Sequence, residues 1–317
     1  MIAAPPWLDR ATYPFTPRTL ELASGRLHYV DEGPPGGEVV LFVHGTPTWS
    51  FEYRHLVSAL SRRFRCIAPD HLGFGLSERP AAIAYTPEAH AANLDEFVDR
   101  LGLTRFTLIV HDFGGPIAFP LALREHSAVS RLVIMNTWCW PFADHPAMVR
   151  KAQIAAGPLG RLLYRYANAS LRLIMPSAYG DKRKLTPEIH RQYLSVFEDR
   201  DARVRVLHAL ARALLASNGF YADLWREAER LRRVPSLIVW GLKDSACPPA
   251  FLDRWRTLLP DARVAVLERA GHWPHEEDPD SVIAEIEAFL TDHADFADPA
   301  AFGRITTSTK NTTSTKD

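Results

Sequence analysis

The sequence predicts an α/β protein whose mostly parallel central sheet carries helices on both faces and is interrupted by an inserted helical segment. Short apolar runs rich in Val, Ile and Phe alternate with stretches of helical periodicity, which is typical of strands buried on both faces of a parallel sheet. In chain order the runs are EVVLFVHG, RCIAPD, FTLIVHD, RLVIMNT, SLIVWGLKD and RVAVLERAGH.

Between these runs, local signals predict where helices begin and where the alternation stops. Thr86 followed by Pro87 is typical of a helix N-terminus. The alternation breaks between Thr137 and Ser236, and roughly a hundred residues of helical periodicity are too long for an ordinary connection. We therefore predict a core formed by residues 1–140 and 216–295 and a helical cap at 141–215. The repetitive end RITTSTKNTTSTKD predicts a disordered tail at 296–317.

Composition limits the classes of partner. The 317 residues are 47% hydrophobic, and 37 basic side chains balance 37 acidic ones. This neutral balance predicts no nucleic-acid or membrane partner and a substrate that is not a polyanion. We expect a small apolar organic substrate. Three widely spaced cysteines predict free thiols in a reducing compartment. The N-terminus resembles no signal peptide and no long apolar window follows, so we expect a cytoplasmic protein.

The stretch FTLIVHDFGG raises the question of why a buried apolar strand ends on Asp112. A strand, a sharp turn and a helix around small residues make the central side chain project above the sheet from a strained backbone. This arrangement predicts that Asp112 is a nucleophile. An aspartate at a strand end can equally cap a helix or bind a cation, and the motif alone leaves these roles open.

Three further motifs favour the nucleophile. In HGTP, Pro47 has no amide hydrogen, so the backbone N–H of Thr46 and that of Phe113 are the predicted donors of an oxyanion hole. Asp244 follows a strand, and His272 lies in the loop before the final helix. Nucleophile, acid and histidine therefore follow one another in the order used by one large class of hydrolases. His275 is a competing base, but its position in PHEE favours a solvated or capping role.

At this point the chain resembles the α/β-hydrolase superfamily, and within it the haloalkane dehalogenases, with epoxide hydrolases close behind. The resemblance covers about Arg26 to His293 and is carried by HGTPTWSFEYR, APDHLGFGLSERP, VHDFGG, IMNTW, WGLKD and GHWPHEE. It implies an α/β-hydrolase fold with a cap, Asp112 as nucleophile and His272 as base. Some relatives place the acid after strand six, where this chain has Asn136, so Asp244 inherits that role.

The resemblance departs from the family at the halide site. The family holds the leaving halide between two side-chain N–H donors, at positions that here are Phe113 and Thr46, and a phenyl ring donates no hydrogen bond. Trp138, Trp140 and Asn136, at the mouth of the cap, are the candidate replacement donors for substrate or halide, but packing in the cap is the favoured role of these side chains.

An aspartate nucleophile predicts attack at a saturated carbon, because attack on an acyl carbon would give an anhydride. We predict an alkyl ester of Asp112 that a water activated by His272 hydrolyses, with haloalkane dehalogenation as the leading reaction. Epoxide hydrolysis, with tyrosines as proton donors, is the alternative, as are β-lactone processing and an inactive protein that binds small ligands. The tyrosines are Tyr164, Tyr166, Tyr179, Tyr193 and Tyr221. The sequence has no metal or nucleotide motif, so we expect no cofactor.

Overall fold

A computed structural model describes residues 5–124 and 127–292. Its eight-stranded sheet has the order β1-β2-β4-β3-β5-β6-β7-β8. The first three strands of this order pair antiparallel and the remaining pairs are parallel. The strands are β1 (Arg18–Leu22), β2 (Gly25–Glu32), β3 (Val39–Val43), β4 (Arg65–Pro69), β5 (Phe106–Asp112), β6 (Val129–Thr137), β7 (Ser236–Gly241) and β8 (Arg263–Leu267). The predicted fold class is confirmed.

Each of the six apolar runs forms one of the strands β3 to β8. The strand β5 is buried along its whole length and lies between β3 and β6, as expected of a central strand covered on both faces. The strands β1 and β2 were not among the predicted runs. In β1 only Leu22 is buried and the other residues are at least partly exposed, so the segment has no continuous apolar run.

The α-helices are α1 (Arg54–Leu60), α2 (Pro87–Arg100), α3 (Gly114–Leu123), α4 (Pro146–Ala156), α5 (Pro158–Leu162), α6 (Met175–Ala178), α7 (Pro187–Val196), α8 (Arg200–Ala202), α9 (Ala209–Ala216), α10 (Asn218–Glu227), α11 (Pro249–Leu258), α12 (Pro274–Glu277) and α13 (Pro279–Asp292). The predicted start of α2 is confirmed, because the Thr86 side chain accepts a hydrogen bond from the amide of Ala89 at 3.4 Å. Short 3₁₀ turns are Ser50–Tyr53, Phe142–Asp144, Lys182–Lys184 and Ala228–Arg233. Wider π-helical turns are Leu163–Ala167, Ser170–Ile174 and Arg203–His208.

The connection between β6 and β7 is helical throughout the part of it that forms regular structure. We call residues 142–216, from the first 3₁₀ turn to the end of α9, the inserted segment. The helix α10 and the turn after it then lead to β7. The division into a cap at 141–215 and a core at 1–140 and 216–295 stays a prediction, and the predicted tail at 296–317 lies outside the described residues. Within the described ranges, no helix has both the length and the apolarity to span a bilayer.

Candidate active site

Asp112 is the last residue of β5, and its backbone has the positive φ of 50° that side chains rarely adopt. The helix α3 begins at Gly114, so strand, turn and helix follow one another within three residues. Gly45 packs directly against the turn: a Cβ atom at Gly45 would lie 2.4 Å from the Cβ atom of Asp112. The strained turn and this close approach fix the carboxylate at the carboxyl end of the parallel strands.

Backbone amides surround the Asp112 carboxylate. The N–H of Thr46 donates to Oδ1 of Asp112 at 2.9 Å, and the amide of Phe113 contributes to lowering the carboxyl pKa. Both amides come from turns at the ends of neighbouring strands β3 and β5, which pair in parallel. The two amides predicted to form the oxyanion hole therefore meet at Asp112.

The structure also brings His272 and Asp244 to this carboxylate. The Nε2 atom of His272 lies 3.3 Å from Oδ2 of Asp112, and Nδ1 of His272 lies 2.7 Å from Oδ2 of Asp244. All three side chains are buried, with 3 to 7% of each residue exposed. The imidazole thus lies between two carboxylates, one on each ring nitrogen, which is the geometry of a nucleophile, base and acid.

The negative charge of Asp112 and the positive charge of His272 stabilise each other. Burial opposes ionisation of Asp112, but His272 and the amide of Phe113 outweigh it, so the pKa of Asp112 is below its ordinary value. Burial likewise opposes the imidazolium of His272, yet Asp244 and Asp112 raise the His272 pKa well above its ordinary value. Both shifts favour an ionised Asp112 carboxylate paired with a protonated His272.

Asn136 does not line the cavity above Asp112. Its side-chain amide donates to Oδ2 of Asp244 at 2.8 Å and to the carbonyl of Gly241 at 3.2 Å, while its Oδ1 accepts from the Gly241 amide at 2.9 Å. Its backbone has a φ of 34°, another strained position at the end of a central strand. The structure thus places Asn136 behind the acid, where it orients Asp244, and not at the predicted substrate or halide position.

A cavity of about 340 Å³ opens above Asp112, between the sheet and the inserted segment. Thr46, Phe113 and His272 line its floor together with Asp112, and the walls are mostly apolar. Cys247 also lines the cavity, but its Sγ donates to the carbonyl of Asn136 at 3.3 Å and burial raises the pKa of the thiol. The cavity suits a small apolar molecule whose reacting atom lies next to Asp112.

The two predicted tryptophans occupy different places. Trp138 lines the cavity, packs edge-on against Phe113 with 4.9 Å between ring centroids, and its buried Nε1 has no hydrogen-bond partner among the described residues. Trp140 is not part of the cavity wall. It packs against Trp255, Phe251 and Trp225 behind it, under the guanidinium of Arg254. The structure therefore supports the packing role for Trp140 and leaves Trp138 as the one of these two tryptophans that lines the cavity.

Of the five candidate tyrosines, only Tyr164 lines the cavity. Burial raises its pKa to about 12 against the smaller opposing effect of a hydrogen bond with Ser170, and the negative charge of Asp112 adds to the increase. Its hydroxyl is consequently protonated at neutral pH. The other four lie elsewhere: Tyr166 is exposed, Tyr179 stacks on Trp273, Tyr193 bonds Glu276 and Tyr221 is buried beside Trp138.

A second polar cluster lies behind His272 and was not predicted. Nε2 of His111 donates to the carbonyl of His272 at 2.7 Å, which leaves Nδ1 of His111 facing the Glu52 carboxylate at 3.3 Å. Nε2 of His275 lies 4.0 Å from the same carboxylate. The predicted solvated or capping role of His275 is wrong, because the residue is fully buried and stacks on Tyr53. The sequence signal was the charged Glu52 between the aromatic residues Phe51 and Tyr53.

This cluster is where the described chain offers ligands for a cation outside the catalytic group. The ligand atoms of Glu52, His111 and His275 lie within 4.8 Å of one another. Burial and the neighbouring imidazoles of His111 and His272 hold the pKa of His275 well below its ordinary value, so one of its ring nitrogens is available as an acceptor. None of the three lines the cavity, so a proton or cation shared here would act on the position of His272 and not on substrate.

The loop that carries His272 is fastened to the inserted segment. The amide of His272 donates to the carbonyl of Ala178 at 2.9 Å, and Glu277 accepts from the amides of Asp181 at 3.0 Å and Gly271 at 2.7 Å. The hydroxyl of Tyr193, in α7, donates to Glu276 at 2.6 Å. Glu276 also forms a buried bidentate ion pair with Arg54 at the start of α1. Core and inserted segment are thus joined next to the base.

The sequence model of the family described as alpha/beta hydrolase fold matches residues 38–279. The chain belongs to the α/β-hydrolase family. It is a hydrolase of the haloalkane dehalogenase type: it is 38% identical over 280 residues to haloalkane dehalogenase 2 of Mycobacterium tuberculosis, a match that covers 88% of this chain and 96% of that protein.

Two further relatives of this α/β-hydrolase indicate the range of activities around it. A cis-3-alkyl-4-alkyloxetan-2-one decarboxylase of Xanthomonas campestris is 36% identical over 294 residues, with 88% of this chain and 97% of that protein covered. The crystal structure of haloalkane dehalogenase DbeA from Bradyrhizobium elkani superposes with a TM-score of 0.80 at 25% identity, over 89% of this chain and 99% of the other. Dehalogenation and oxetanone chemistry thus both occur in proteins similar to this hydrolase.

Proposed function

We propose that the protein converts haloalkanes to alcohols and halide through an alkyl ester of Asp112. One observation carries this proposal: the Asp112 carboxylate has one oxygen on the Thr46 amide at 2.9 Å and the other 3.3 Å from His272, beneath an apolar cavity. The first oxygen, Oδ1, is positioned to become the carbonyl oxygen of the ester. The second, Oδ2, can reach a saturated carbon in the cavity. The lowered pKa of Asp112 keeps the nucleophile ionised.

In the first step, a lone pair of Asp112 Oδ2 forms a bond to the halogen-bearing carbon. The carbon–halogen bond breaks, and its electron pair leaves with the halide. The product is an ester of Asp112 whose carbonyl oxygen stays on the Thr46 amide. Because the carboxylate has lost its negative charge, one of the interactions that raise the pKa of His272 is removed, and the imidazolium can release its proton to solvent.

In the second step, neutral His272 takes a proton from water, and the oxygen attacks the ester carbon of Asp112. The negative charge that develops on Oδ1 is stabilised by the amides of Thr46 and Phe113. The intermediate collapses with cleavage of the original carbon–oxygen bond of the carboxylate, so the alcohol leaves and takes the proton from His272. Asp244 holds the second ring nitrogen at 2.7 Å and stabilises the imidazolium during the step.

The departing halide needs donors, and Phe113 supplies none from its side chain. Trp138 and Thr46 both line the cavity, and the buried indole N–H of Trp138 and hydroxyl of Thr46 have no partners among the described residues. An unpaired buried N–H is costly unless a ligand satisfies it, so these two groups are the proposed halide donors. Asn136 is committed to Asp244 and is excluded from this role in the proposal.

A second candidate is decarboxylation of a β-lactone, favoured by the protonated hydroxyl of Tyr164 in the cavity. Asp112 would attack the ring carbon that bears the lactone oxygen, and that carbon–oxygen bond would open to a carboxylate hydrogen-bonded to Tyr164. Loss of CO₂ from the adjacent carbon would then form an alkene and expel Asp112 as a carboxylate. This route consumes no water and does not need His272 as a base. An epoxide opened by the same tyrosine would instead give a diol through ester hydrolysis.

The experiment that separates these reactions is intact-protein mass spectrometry of His272→Gln after incubation with 1-bromobutane, styrene oxide or a 3,4-dialkyloxetan-2-one. Dehalogenation predicts an adduct of one butyl group, one bromide released per chain, and no adduct in His272→Gln combined with Asp112→Ala. Oxetanone decarboxylation predicts alkene formation by His272→Gln without an adduct. An adduct with styrene oxide alone would contradict the dehalogenase proposal, as would normal turnover of 1-bromobutane by His272→Gln.

A further inference from the structure

A cluster of exposed apolar side chains covers one short part of the inserted segment. In the described chain, eight large apolar side chains are exposed, and all except Val266 lie between residues 154 and 174. They belong to α4, α5 and the two π-helical turns that follow, and α4 contacts α5. We call them the apolar patch: Ile154, Leu159, Leu162, Leu163, Tyr166, Leu173 and Ile174. Several neighbouring exposed residues of this size mark an interaction surface.

Basic residues are frequent in the segment of the chain that carries the apolar patch. Residues 150–184 contain eight basic side chains and one acidic side chain, although the whole chain has 37 of each. Seven of the eight basic residues are exposed: Arg150, Lys151, Arg161, Arg172, Lys182, Arg183 and Lys184. The eighth, Arg165, pairs with Asp201, and Arg183 pairs with Asp181. The neutral net charge of the whole chain therefore does not describe this segment.

The apolar patch also borders the opening of the cavity. Ile174, Lys151 and Ser177 line the cavity and are exposed, so they form part of its mouth. Ile174 belongs to the apolar patch and to the mouth, which makes the apolar surface continuous from the outside of the inserted segment to the cavity. The apolar patch therefore reaches the entrance of the cavity that contains Asp112.

We propose that this face docks on an anionic lipid bilayer, with the apolar patch in the headgroup region and the basic side chains on the phosphates. Helices with exposed Leu, Ile and Tyr and a margin of Arg and Lys are the type of surface that lies in a membrane interface. A second copy of the chain is the weaker occupant, because a two-fold contact through the same surface would bring two clusters of like charge together. The proposal concerns docking and holds whichever reaction the cavity performs.

Vesicle co-sedimentation of the full chain tests the proposal. We expect binding to vesicles of phosphatidylcholine with about 30% phosphatidylglycerol, weak binding to phosphatidylcholine alone, and loss of binding as salt rises from about 0.05 to about 0.5 M. The double variant Arg161→Glu and Arg172→Glu should lower the partition coefficient at least tenfold, since each charge near an anionic surface contributes about fivefold. Arg62→Glu combined with Arg63→Glu, at two exposed sites on the core, makes the same change in net charge and should bind like the parent.

The apolar contribution is tested with Leu159→Ser combined with Leu173→Ser, against Val266→Ser on the edge strand β8. We expect the double variant to lose most of its binding and the Val266 variant to keep it. Sedimentation velocity without lipid tests whether the chain self-associates through the same surface. Equal binding to neutral and anionic vesicles, or no binding to either, overturns the proposal. So does a self-associated parent that Leu159→Ser with Leu173→Ser converts to monomer, because the occupant of the surface is then a second copy.

Discussion

The side-chain amide of Asn136 lies 2.8 Å from Oδ2 of Asp244, the same oxygen atom that accepts the proton on Nδ1 of His272. Asn136 therefore fixes the orientation of the Asp244 carboxylate to which the imidazole is hydrogen-bonded. We expect Asn136→Gly to lower the rate of ester hydrolysis about 10- to 100-fold, since a hydrogen bond to a charged group contributes about 1.5–3 kcal/mol. Glycine tolerates the φ of 34° at this site, so the variant removes the amide and keeps the backbone.

The control for this prediction moves the carboxylate from position 244 to position 136. Asp244→Asn should be almost inactive, and Asn136→Asp added to it should restore part of the activity by returning a carboxylate to the pair. Single-turnover rates of adduct formation and decay distinguish the steps, and only decay should change. If Asn136→Gly decays at the parent rate, the amide does not orient the acid.

The pH dependence of the alkyl ester follows from the opposite pKa shifts of the two reacting groups. Asp112 has a lowered pKa and stays an ionised nucleophile as pH falls. In the alkyl ester the Asp112 charge is gone, but Asp244 still raises the pKa of His272, so acidification protonates the base that hydrolysis needs. Acidification should therefore stop hydrolysis before alkylation. Rapid-quench mass spectrometry of the parent protein with 1-bromobutane should show more alkylated chain at about pH 5 than at about pH 8. His272→Gln should accumulate the adduct equally at both values.

The two buried tryptophans offer a matched test of halide binding. Trp138→Phe should lower kcat/KM for 1-bromobutane about 10- to 100-fold, because the only change in the cavity wall is the loss of an unpaired N–H donor and part of the ring. Trp140→Phe should leave the ratio within about twofold, because Trp140 packs behind the wall. Inhibition by added bromide is the second measurement: it should weaken in the first variant alone. Unchanged bromide inhibition in Trp138→Phe would assign the halide to other donors.

The substitution Gly45→Ala should lower the rate of alkylation more than it lowers the stability of the fold. An alanine Cβ there would lie 2.4 Å from the Asp112 side chain, so the nucleophile must shift from the Thr46 amide. We expect Gly45→Ala to lower alkylation at least 100-fold, since small displacements of reacting groups cost this much. Gly219→Ala is the control, because its Cβ meets nothing within 4 Å in α10 and should stabilise the helix by about 0.5–1 kcal/mol. Urea unfolding of both variants separates misplacement from unfolding.

The sequence predicted those parts of the molecule that follow from local pattern and chain order. The apolar runs predicted β3 to β8, and the motif around Asp112 predicted the strained turn, because both signals lie within a few residues. The strand β1 was not predicted because its partly exposed residues form no continuous apolar run. The roles of Asn136 and Trp140 depend on contacts with residues about a hundred positions away, Gly241 and Trp255, which no local pattern contains.

His275 shows the same limit for burial. It follows Pro274 at the start of a short helix, a position that favours exposure, yet the stacking on Tyr53 and the carboxylate of Glu52 enclose it from the opposite side of the core. Glu52 and His275 were each visible as isolated polar residues. Their proximity required the approach of the turn after β3 to the loop after β8, which is a property of the sheet order.

The bonds between the inserted segment and the loop of His272 affect the timing of turnover. A rigid-body opening of this segment would break the bond from the His272 amide to Ala178 and that from Tyr193 to Glu276, and so pull the base away from Asp112. We therefore expect reactants to enter and alcohol to depart through local side-chain movement at Lys151 and Ile174. The residence time of the product should then depend on the size of the side chains at positions 151 and 174. The catalytic group should stay assembled between one turnover and the next.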